Sequence, residues 1–326
     1  MAKLDEQWTL GGHVLPNRLV LAPLAGIGNW FIRLQAKRHG AGLCVSEMVS
    51  SFGVKHGDRK THSEYLRIHA DEHPVSMQLF GHDPEVMRAA AATVAERGAD
   101  LIDINMGCPV RKVAKTGAGA SLLDDPDRAV ALARAAIEGS GLPVTVKLRS
   151  GLRAGETSGV EVARRLVEDA GVAGIAFHPR HADQQHKGTP DYDLAAALVD
   201  QLPVPVLISG GISSDERALE AFERTGAAAV MLARGSLGNP WRFERLLGRR
   251  DGEPGPEEVL AELLWVIERA EEHLGVQRAG GWLRKAYPWY VERLGITKAQ
   301  AAPLVTAPTT EAARAAIGAL SDPVAA

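Results

Sequence analysis

Eight short runs of aliphatic and β-branched residues punctuate the chain, each continuous rather than alternating. They are Leu19–Ala22, Leu43–Ser46, Val75–Leu79, Leu101–Asn105, Val144–Leu148, Gly174–His178, Val206–Ser209 and Ala229–Leu232. A strand that is apolar at consecutive positions must be covered on both faces, which is the condition of a parallel strand with helices packed outside it. The intervals hold amphipathic stretches such as Pro84–Arg97 and Pro126–Glu138, each opened by Asp-Pro, a capping side chain followed by a first-turn proline. Gly98, Gly171 and Gly226 stand where such helices should stop. Eight repeats of strand and helix predict an α/β fold, a (β/α)8 TIM barrel. A doubly wound open sheet is the structural alternative. Ahead of the first run, WTLGGHVLPN predicts a small hairpin closing the barrel's lower end.

After Trp241 the pattern changes. LGRRDGEPGP, residues 247–256, has the glycine, proline and charge of a linker. From Glu257 to about Leu320 the periodicity is helical, with breaks expected near Gly275, Gly280-Gly281, Gly295 and Pro303. The expected organisation is a barrel over 1–246, a linker over 247–256, a small C-terminal helical domain over 257–320 and a flexible tail over 321–326. A chain of 326 residues, 45% hydrophobic, is long enough for one large core and a small second domain. Its net charge of −3 does not announce a nucleic-acid partner, so any such surface must be a local patch. Two cysteines, Cys44 and Cys108, make no disulfide framework and suit a reducing compartment. MAKLDEQWTLGG has no signal-like apolar stretch, and no run of 18 apolar residues occurs. A cytoplasmic protein with no membrane association is expected.

In a barrel of this kind, chemistry collects where strands end and loops begin. The polar residues at those places are Glu47, Gln78, Asn105, Lys147, Arg149, His178, Arg180, Ser209 and Arg234. Burying them unpaired costs a few kcal/mol each, so they satisfy one another or surround a large polar ligand. Ser209-Gly210-Gly211-Ile212 follows the seventh run and Ala233-Arg234-Gly235 the eighth. Loops at these two places form the recurrent phosphate site of the fold. Lys147 and Gln78 come from other runs into the same space. An extended phosphorylated ligand such as flavin mononucleotide (FMN) fits this set, a cation beside the isoalloxazine favouring its reduced anion. The competing reading pairs Lys147 structurally with Glu47 or Asp103.

Ala22-Pro23-Leu24-Ala25-Gly26, Ser46-Glu47-Met48, Gln78-Leu79, Asp103-Ile104-Asn105-Met106-Gly107-Cys108-Pro109, Lys147-Leu148-Arg149 and His178 occur in this order. Together they resemble the tRNA-dihydrouridine synthases, flavoenzymes that reduce specific uridines of tRNA. The resemblance runs the length of the chain. Its Asn-x-Gly-Cys-Pro signature is specific, whereas the glycine loops are common to many barrels. It implies that Pro23, Leu24 and Ala25 contact FMN, that Gln78 and Lys147 bind its ring, and that His178 lines the site. Ser209, Gly210, Gly211, Ala233 and Arg234 match phosphate-binding positions. Asn105 and Arg149 match residues that face the target uracil. NADPH or NADH is the implied reductant, tRNA the implied substrate, and a monomer the expected form. Two positions depart from the family pattern: Ser209-Gly210-Gly211 replaces the more usual Asn-Gly-Asp or Asn-Gly-Gly, and Ala233-Arg234 replaces Gly-Arg. Backbone donors survive both changes.

An ordinary cysteine thiol titrates near about pH 8.5 and is mostly protonated at neutrality, which suits a general acid better than a nucleophile. Reducing the 5,6 double bond of uracil needs a hydride at one carbon and a proton at the other. The resemblance places Cys108 as the acid for C5, opposite a hydride delivered to C6. The alternatives are an inert buried thiol and a nucleophile paired with His178. Cys44, inside an apolar run, reads as packing. His178, His181 and His186 share one stretch but lack the carboxylate or the helical spacing of a metal site, and no metal is expected. RHADQQHKGTPDY, beginning at Arg180, is expected to help cover the substrate nucleotide.

Residues 253–272 carry seven acidic groups and one basic, whereas 274–300 carry five basic and one acidic. The second segment interleaves Arg278, Arg284, Lys285 and Arg293 with Trp282, Tyr287, Trp289 and Tyr290. Cations with aromatics suit an RNA surface, Arg278, Arg284, Lys285 and Arg293 meeting phosphates. The alternative makes the rings a helical core and the cations its solvated face. Three other functions compete for the chain: a flavin barrel acting on a free pyrimidine, of the dihydroorotate or dihydropyrimidine dehydrogenase type; an RNA-binding barrel without catalysis; and a phosphate-binding isomerase or aldolase-like barrel. The first has no need of a basic helical domain. The other two would carry no flavin and purify colourless.

Overall fold

The computed structural model describes residues 3–321. An antiparallel hairpin, β1 (Trp8–Leu10) and β2 (His13–Leu15), turns at Gly11 and Gly12. Both glycines have positive φ, 57° and 86°, as a two-residue hairpin turn requires. The eight barrel strands follow: β3 (Leu19–Leu21), β4 (Leu43–Val45), β6 (Val75–Phe80), β7 (Leu101–Met106), β8 (Val144–Arg149), β9 (Gly174–His178), β10 (Val206–Ser209) and β11 (Ala229–Leu232). Each pairs in parallel with the next, and β11 pairs with β3 to close the ring. A two-residue strand, β5 (Val49–Ser50), extends the upper end of β6 by pairing with Leu79 and Phe80. The fold is the (β/α)8 TIM barrel, as the eight apolar runs predict.

Helices cover the outside: α1 (Trp30–Arg38), α2 (Ser51–Lys55), α3 (Pro84–Glu96), α4 (Arg111–Ala114), α5 (Pro126–Ser140), α6 (Ser158–Arg165), α7 (Tyr192–Gln201) and α8 (Asp215–Thr225). Asp83 and Asp125 cap α3 and α5 by accepting from the N–H of Val86 and of Arg128, each with proline in the first turn. Gly226 ends α8 in the left-handed region, at φ 63°.

The lower end of the barrel is filled by the hairpin. Trp8, Leu10 and Leu15 pack into one buried cluster with Val20, Leu43, Val45, Leu101, Ala176, Leu207, Ala229 and Met231. Side chains alternate along a strand. The inward position of Leu101 therefore also sets Asp103 and Asn105 toward the axis, further up β7. Pairing of Asp103 with Thr145 and Gln78, and of Asn105 with Lys147, aligns the polar residues of β6, β7 and β8 in rings above the apolar plug. Cys44 is fully buried in β4, and burial pushes its thiol up to about 12, in keeping with a packing role.

The chain divides into two compact units, Met1–Gly235 and Ser236–Ala326. The division falls before the expected end of the barrel at 246. Segment 236–246, with α9 (Trp241–Leu246), goes with the helices because Gly238 lies against the backbone of Trp289 too closely for any Cβ. The second unit continues with α10 (Pro256–Leu274), α11 (Val276–Leu283), α12 (Tyr287–Leu294), α13 (Lys298–Val305) and α14 (Thr310–Ser321). Gly275 and Gly295 break the helices as expected, with φ of 77° and 64°. The other two expected breaks do not occur. Gly280-Gly281 lies inside α11, where a Cβ on Gly280 would stand 3.2 Å from the Pro308 carbonyl oxygen, so Gly280 serves close packing. Pro303 lies inside α13, which forgoes one backbone hydrogen bond. The tail beyond Ser321 lies outside the described residues. Among the described residues, no helix is long and apolar enough to cross a membrane.

If the hairpin is the barrel's floor, truncating it should act as a core mutation. Leu15→Ala, at a fully buried position, is expected to destabilise the protein by about 3 kcal/mol in urea unfolding followed by tryptophan fluorescence. A loss below about 1 kcal/mol would mean that the hairpin lies outside the cooperative core.

Candidate active site

Polar groups at the upper end of the barrel are joined by a directed chain of hydrogen bonds that starts at Asp103. Its carboxylate is fully buried, accepts from Gln78 Nε2 at 2.6 Å and accepts from Thr145 Oγ1 at 2.6 Å. Since the Gln78 NH2 faces a carboxylate, its oxygen must face the other way, and it accepts from Asn105 Nδ2 at 2.9 Å. The Asn105 oxygen then accepts from the backbone N–H of Cys108 at 2.9 Å and of Gly107 at 3.3 Å. The Cys108 carbonyl accepts from the N–H of Ala120 at 3.1 Å. Gly119, at φ 65°, passes beneath it so closely that a Cβ would stand 2.7 Å from the Cys108 oxygen. Cys108, half-exposed, is thereby held on both sides of its peptide unit at the end of β7.

Around this turn stands an excess of positive charge. Lys147 donates to Ser209 Oγ at 3.1 Å, and among the described residues it makes no ion pair, with Glu47, Asp103 or any other carboxylate. Arg149 is buried and spends its guanidinium on backbone carbonyls: Gly107 at 2.9 Å, His181 at 3.0 Å and Gln185 at 2.8 Å. Arg180, also buried, donates to the Gly188 carbonyl at 2.7 Å, and its Nε has no partner. The electrostatics reflect the crowding. Lys147 falls to about 8, chiefly because burial penalises its charge and secondly because Arg149 is near, with Asp103 opposing. Burial and the neighbouring Arg180 lower Arg149 to about 10. His178 is pushed well below its ordinary value by burial and by Lys147, Arg149 and Arg180, so its imidazole is neutral. Asp103 rises to about 6, because burial outweighs its two hydrogen bonds and Lys147.

The loops after β10 and β11 face the same region. His178 lies on Gly210, leaving no room for a Cβ, while Gly211 packs against Pro190; their φ angles are 95° and 78°. The Tyr192 hydroxyl donates to the Gly210 carbonyl at 2.9 Å. The N–H groups of Gly211 and Ile212 have no protein acceptor among the described residues, and successive free N–H groups of this kind form an anion nest. Arg234 is exposed but close enough to act electrostatically on Arg180 and His186. Buried cations that form no ion pair among the described residues, together with a backbone anion nest, suit a phosphorylated ligand with an anionic or polar ring.

After β3, Leu24 is buried and Pro23 half-buried, with Ala25 exposed, and the N–H of Gly26 donates to Glu47 Oε2 at 2.7 Å, tying this loop to the end of β4. The structure thus brings Gln78, Asn105, Cys108, Lys147, Arg149, His178, Arg180, Ser209, Gly210 and Gly211 together at one end of the barrel. His178 and His186 stack at 6.1 Å between ring centres, and no group of three metal-binding side chains occurs among the described residues. The sequence reading missed Thr145, Tyr192 and the orienting part played by Asp103; the strand parity of Asp103 with Asn105 was the available signal.

In the second unit Tyr287 and Tyr290 are buried core, and Trp282 and Trp289 are half-buried. Arg278, Arg284 and Lys285 are exposed. Arg293 pairs with Glu253 at 3.0 Å.

The family model "Dihydrouridine synthase (Dus)" matches residues 20–313. The chain is 37% identical over 290 residues to tRNA-dihydrouridine synthase B of Pseudomonas aeruginosa, covering 87% of each chain. It is 34% identical over 294 residues to the protein of the same name from Shewanella oneidensis, covering 87% of this chain and 89% of that one. Among solved structures it resembles a variant of NCR from Zymomonas mobilis, with a TM-score of 0.58 at 17% identity over 79% of this chain and 96% of the other. A morphinone reductase variant in complex with tetrahydroNAD gives a TM-score of 0.56 at 17% identity, over 79% and 94%. At these identities the structural likeness speaks for the barrel alone.

Asp103 supplies a test with a defined sign. An acid whose folded value, about 6, lies above its ordinary 3.8 holds its proton longer in the folded chain. Its contribution to stability is complete below the unfolded value and is lost as pH rises from about 4 to 6. In Asp103→Asn the amide oxygen can still accept from Gln78, and its NH2 can donate to a rotated Thr145 hydroxyl. The stability difference between wild type and Asp103→Asn, from urea unfolding across pH 4 to 7, should shift against the wild type as pH rises. A difference independent of pH would mean that Asp103 is ionised throughout.

Proposed function

Because the chain belongs to the dihydrouridine synthase family, we infer that it is a flavin-dependent oxidoreductase reducing specific uridines of tRNA to 5,6-dihydrouridine. The observation that carries the reading to this chain's own residues is the Cys108 turn. A half-exposed thiol is fixed by Asn105 and Ala120 beside a cluster of cations that form no ion pair with a carboxylate among the described residues. FMN is the flavin that fits. Gly210, Gly211, Ala233 and Arg234, with Ser209, would hold its phosphate; Gln78 and Lys147 would meet its ring; Pro23, Leu24, Ala25 and His178 would line the site. When bound, FMN would supply the hydride for uracil C6, with NADPH or NADH as the reductant.

Protein groups do the rest. Cys108 holds the proton destined for C5, and the Asn105 bond to its N–H keeps the sulfur from drifting with the loop. Lys147 titrates near about 8 with Ser209 as its partner; an anion bound beside it raises that value and keeps the ammonium charged. His178 stays neutral and so adds no further cation. Arg149, locked by three carbonyls, and Arg180, with Nε unused, present fixed donors to the uracil and its neighbouring phosphate. Arg278, Arg284 and Lys285 serve as phosphate contacts for the body of the tRNA. The localisation that accompanies such a substrate is the cytoplasm.

The purified protein is expected to be yellow and to release FMN on denaturation. With the flavin reduced in the absence of oxygen, tRNA lacking dihydrouridine should reoxidise it, while free uridine should not. Cys108→Ala should retain FMN and tRNA binding but lose roughly 10²–10⁴-fold in the rate of that reoxidation. A colourless protein that takes up no FMN would sink the reading, and full activity in Cys108→Ala would remove Cys108 as the acid.

The helical unit gives a separate expectation. Arg284→Glu with Lys285→Glu should weaken tRNA binding and flatten the dependence of log K on log salt by about one unit or more. Unchanged affinity and slope would make these cations solvated surface.

A further inference from the structure

On the outer helices of the barrel, several arginines pair with carboxylates of the same or an adjacent helical segment, while Arg134 on α5 donates to the Asp169 backbone carbonyl. Arg88 pairs with Glu85 and Glu138, Arg128 with Asp125, Arg164 with Glu161 and Glu168, and Arg165 with Asp127 and Asp169. The upper rim on the Cys108 side is different. Lys55, at the end of α2, and Arg59, in the turn after it, are exposed and make no ion pair among the described residues. The same holds for Arg111 and Lys112, which open α4 three and four residues after Cys108, and for Lys115 beyond it. The two segments are neighbours. Ser51 packs against Gly81 so closely that a Cβ there would clash, Lys55 acts electrostatically on Asp83, and Gly117 approaches His82. The carboxylates within this rim are already occupied. Asp58 accepts from the N–H and the hydroxyl of Thr61, both at 2.7 Å, and Asp83 caps α3.

Among these cations lies a large exposed aromatic ring. Phe52 is 63% exposed, and its ring stands 4.0 Å from that of His56. Because β5 continues β6 upward and leads directly into α2, Phe52 is carried on the same rim as the Cys108 turn. Exposing a phenylalanine here brings no folding gain, whereas a flat ring flanked by unpaired cations matches a single strand whose bases are unstacked and whose phosphates pass alongside.

We propose that the rim formed by α2, the turn after it and α4 is a second tRNA-contact surface, carried by the barrel itself. Lys55, Arg59, Arg111, Lys112 and Lys115 take phosphates of the strand flanking the target uridine, and Phe52 stacks on one of its bases. The proposal rests on the functional reading above and adds to it a place where the substrate strand is opened next to Cys108.

The test uses the full-length flavin-loaded protein and tRNA lacking dihydrouridine, with affinity measured by filter binding across a series of KCl concentrations. Lys55→Gln with Arg59→Gln, and Arg111→Gln with Lys112→Gln, should each weaken binding and lower the slope of log K against log salt by about 1.4 to 1.8. The charge-preserving pair Lys55→Arg with Arg59→Lys should keep the wild-type slope, which separates lost charge from a damaged fold. Phe52→Ala should weaken binding at least about five-fold with no change in slope, and Phe52→Tyr should restore it. If every variant keeps wild-type affinity and slope, the rim is not a tRNA surface. If the requirement for NADPH rises while tRNA binding stays the same, the cations serve the reductant and the proposal is overturned. A wild-type protein that binds no tRNA removes the functional reading and this surface together; wild-type binding with unaltered variants removes the surface alone.

Discussion

Three buried or half-buried cations, Lys147, Arg149 and Arg180, share the barrel mouth with Asp103, a buried carboxylate that sits below them and accepts from Gln78 and Thr145 rather than from any of the three. Desolvating a charge without a partner is costly, and burial together with the neighbouring cations lowers Lys147 and Arg149 for that reason. The remaining features of the mouth relieve the imbalance without cancelling it. Carbonyl groups of residues 107, 181 and 185 absorb one guanidinium, and His178 gives up its proton. The proposed binding of phosphates, and of a ring that becomes anionic on reduction, rests on this residue of uncompensated charge.

Asp103 acts on geometry as much as on charge. An amide side chain can lie in either of two orientations, and isolated amides have little reason to prefer one. A carboxylate beneath Gln78 fixes its NH2 downward, which fixes Asn105, which in turn fixes the peptide N–H of Cys108. A single buried charge thus sets donor and acceptor directions over three strand-end residues, whereas a neutral amide in its place, able to turn either its oxygen or its NH2 toward Gln78, would define them less firmly.

The barrel was legible because continuous apolar runs leave few arrangements open. All eight begin where the sequence places them, and several extend one residue further, through Phe80, Met106 and Arg149, because a strand can end on a large or charged side chain when its neighbour still offers hydrogen bonds. Features that depend on a distant partner were not legible. Gly280 reads as a break yet lies in a helix under the Pro308 carbonyl. Arg293 reads as part of a basic face yet belongs to Glu253, 40 positions away. The motif names Asn105, but that Gln78 orients its amide so that its oxygen holds Cys108 follows from β6 lying beside β7. Asp103 is named in the sequence as a possible partner of Lys147, but that it orients Gln78 instead becomes visible only once the plug residues fix the inward parity of its strand.

The two cysteines end in opposite circumstances: Cys44 closed within β4 and Cys108 half-open at the rim. An oxidant that reaches Cys108 meets a sulfur whose only companion in the chain is sealed inside the barrel wall. The sulfenic acid formed there has no resolving thiol in the folded protein, so its rescue falls to small thiols from solution. The same openness on which the proposed role of Cys108 depends therefore ties the lifetime of its thiol under oxidative stress to the cell's thiol pool.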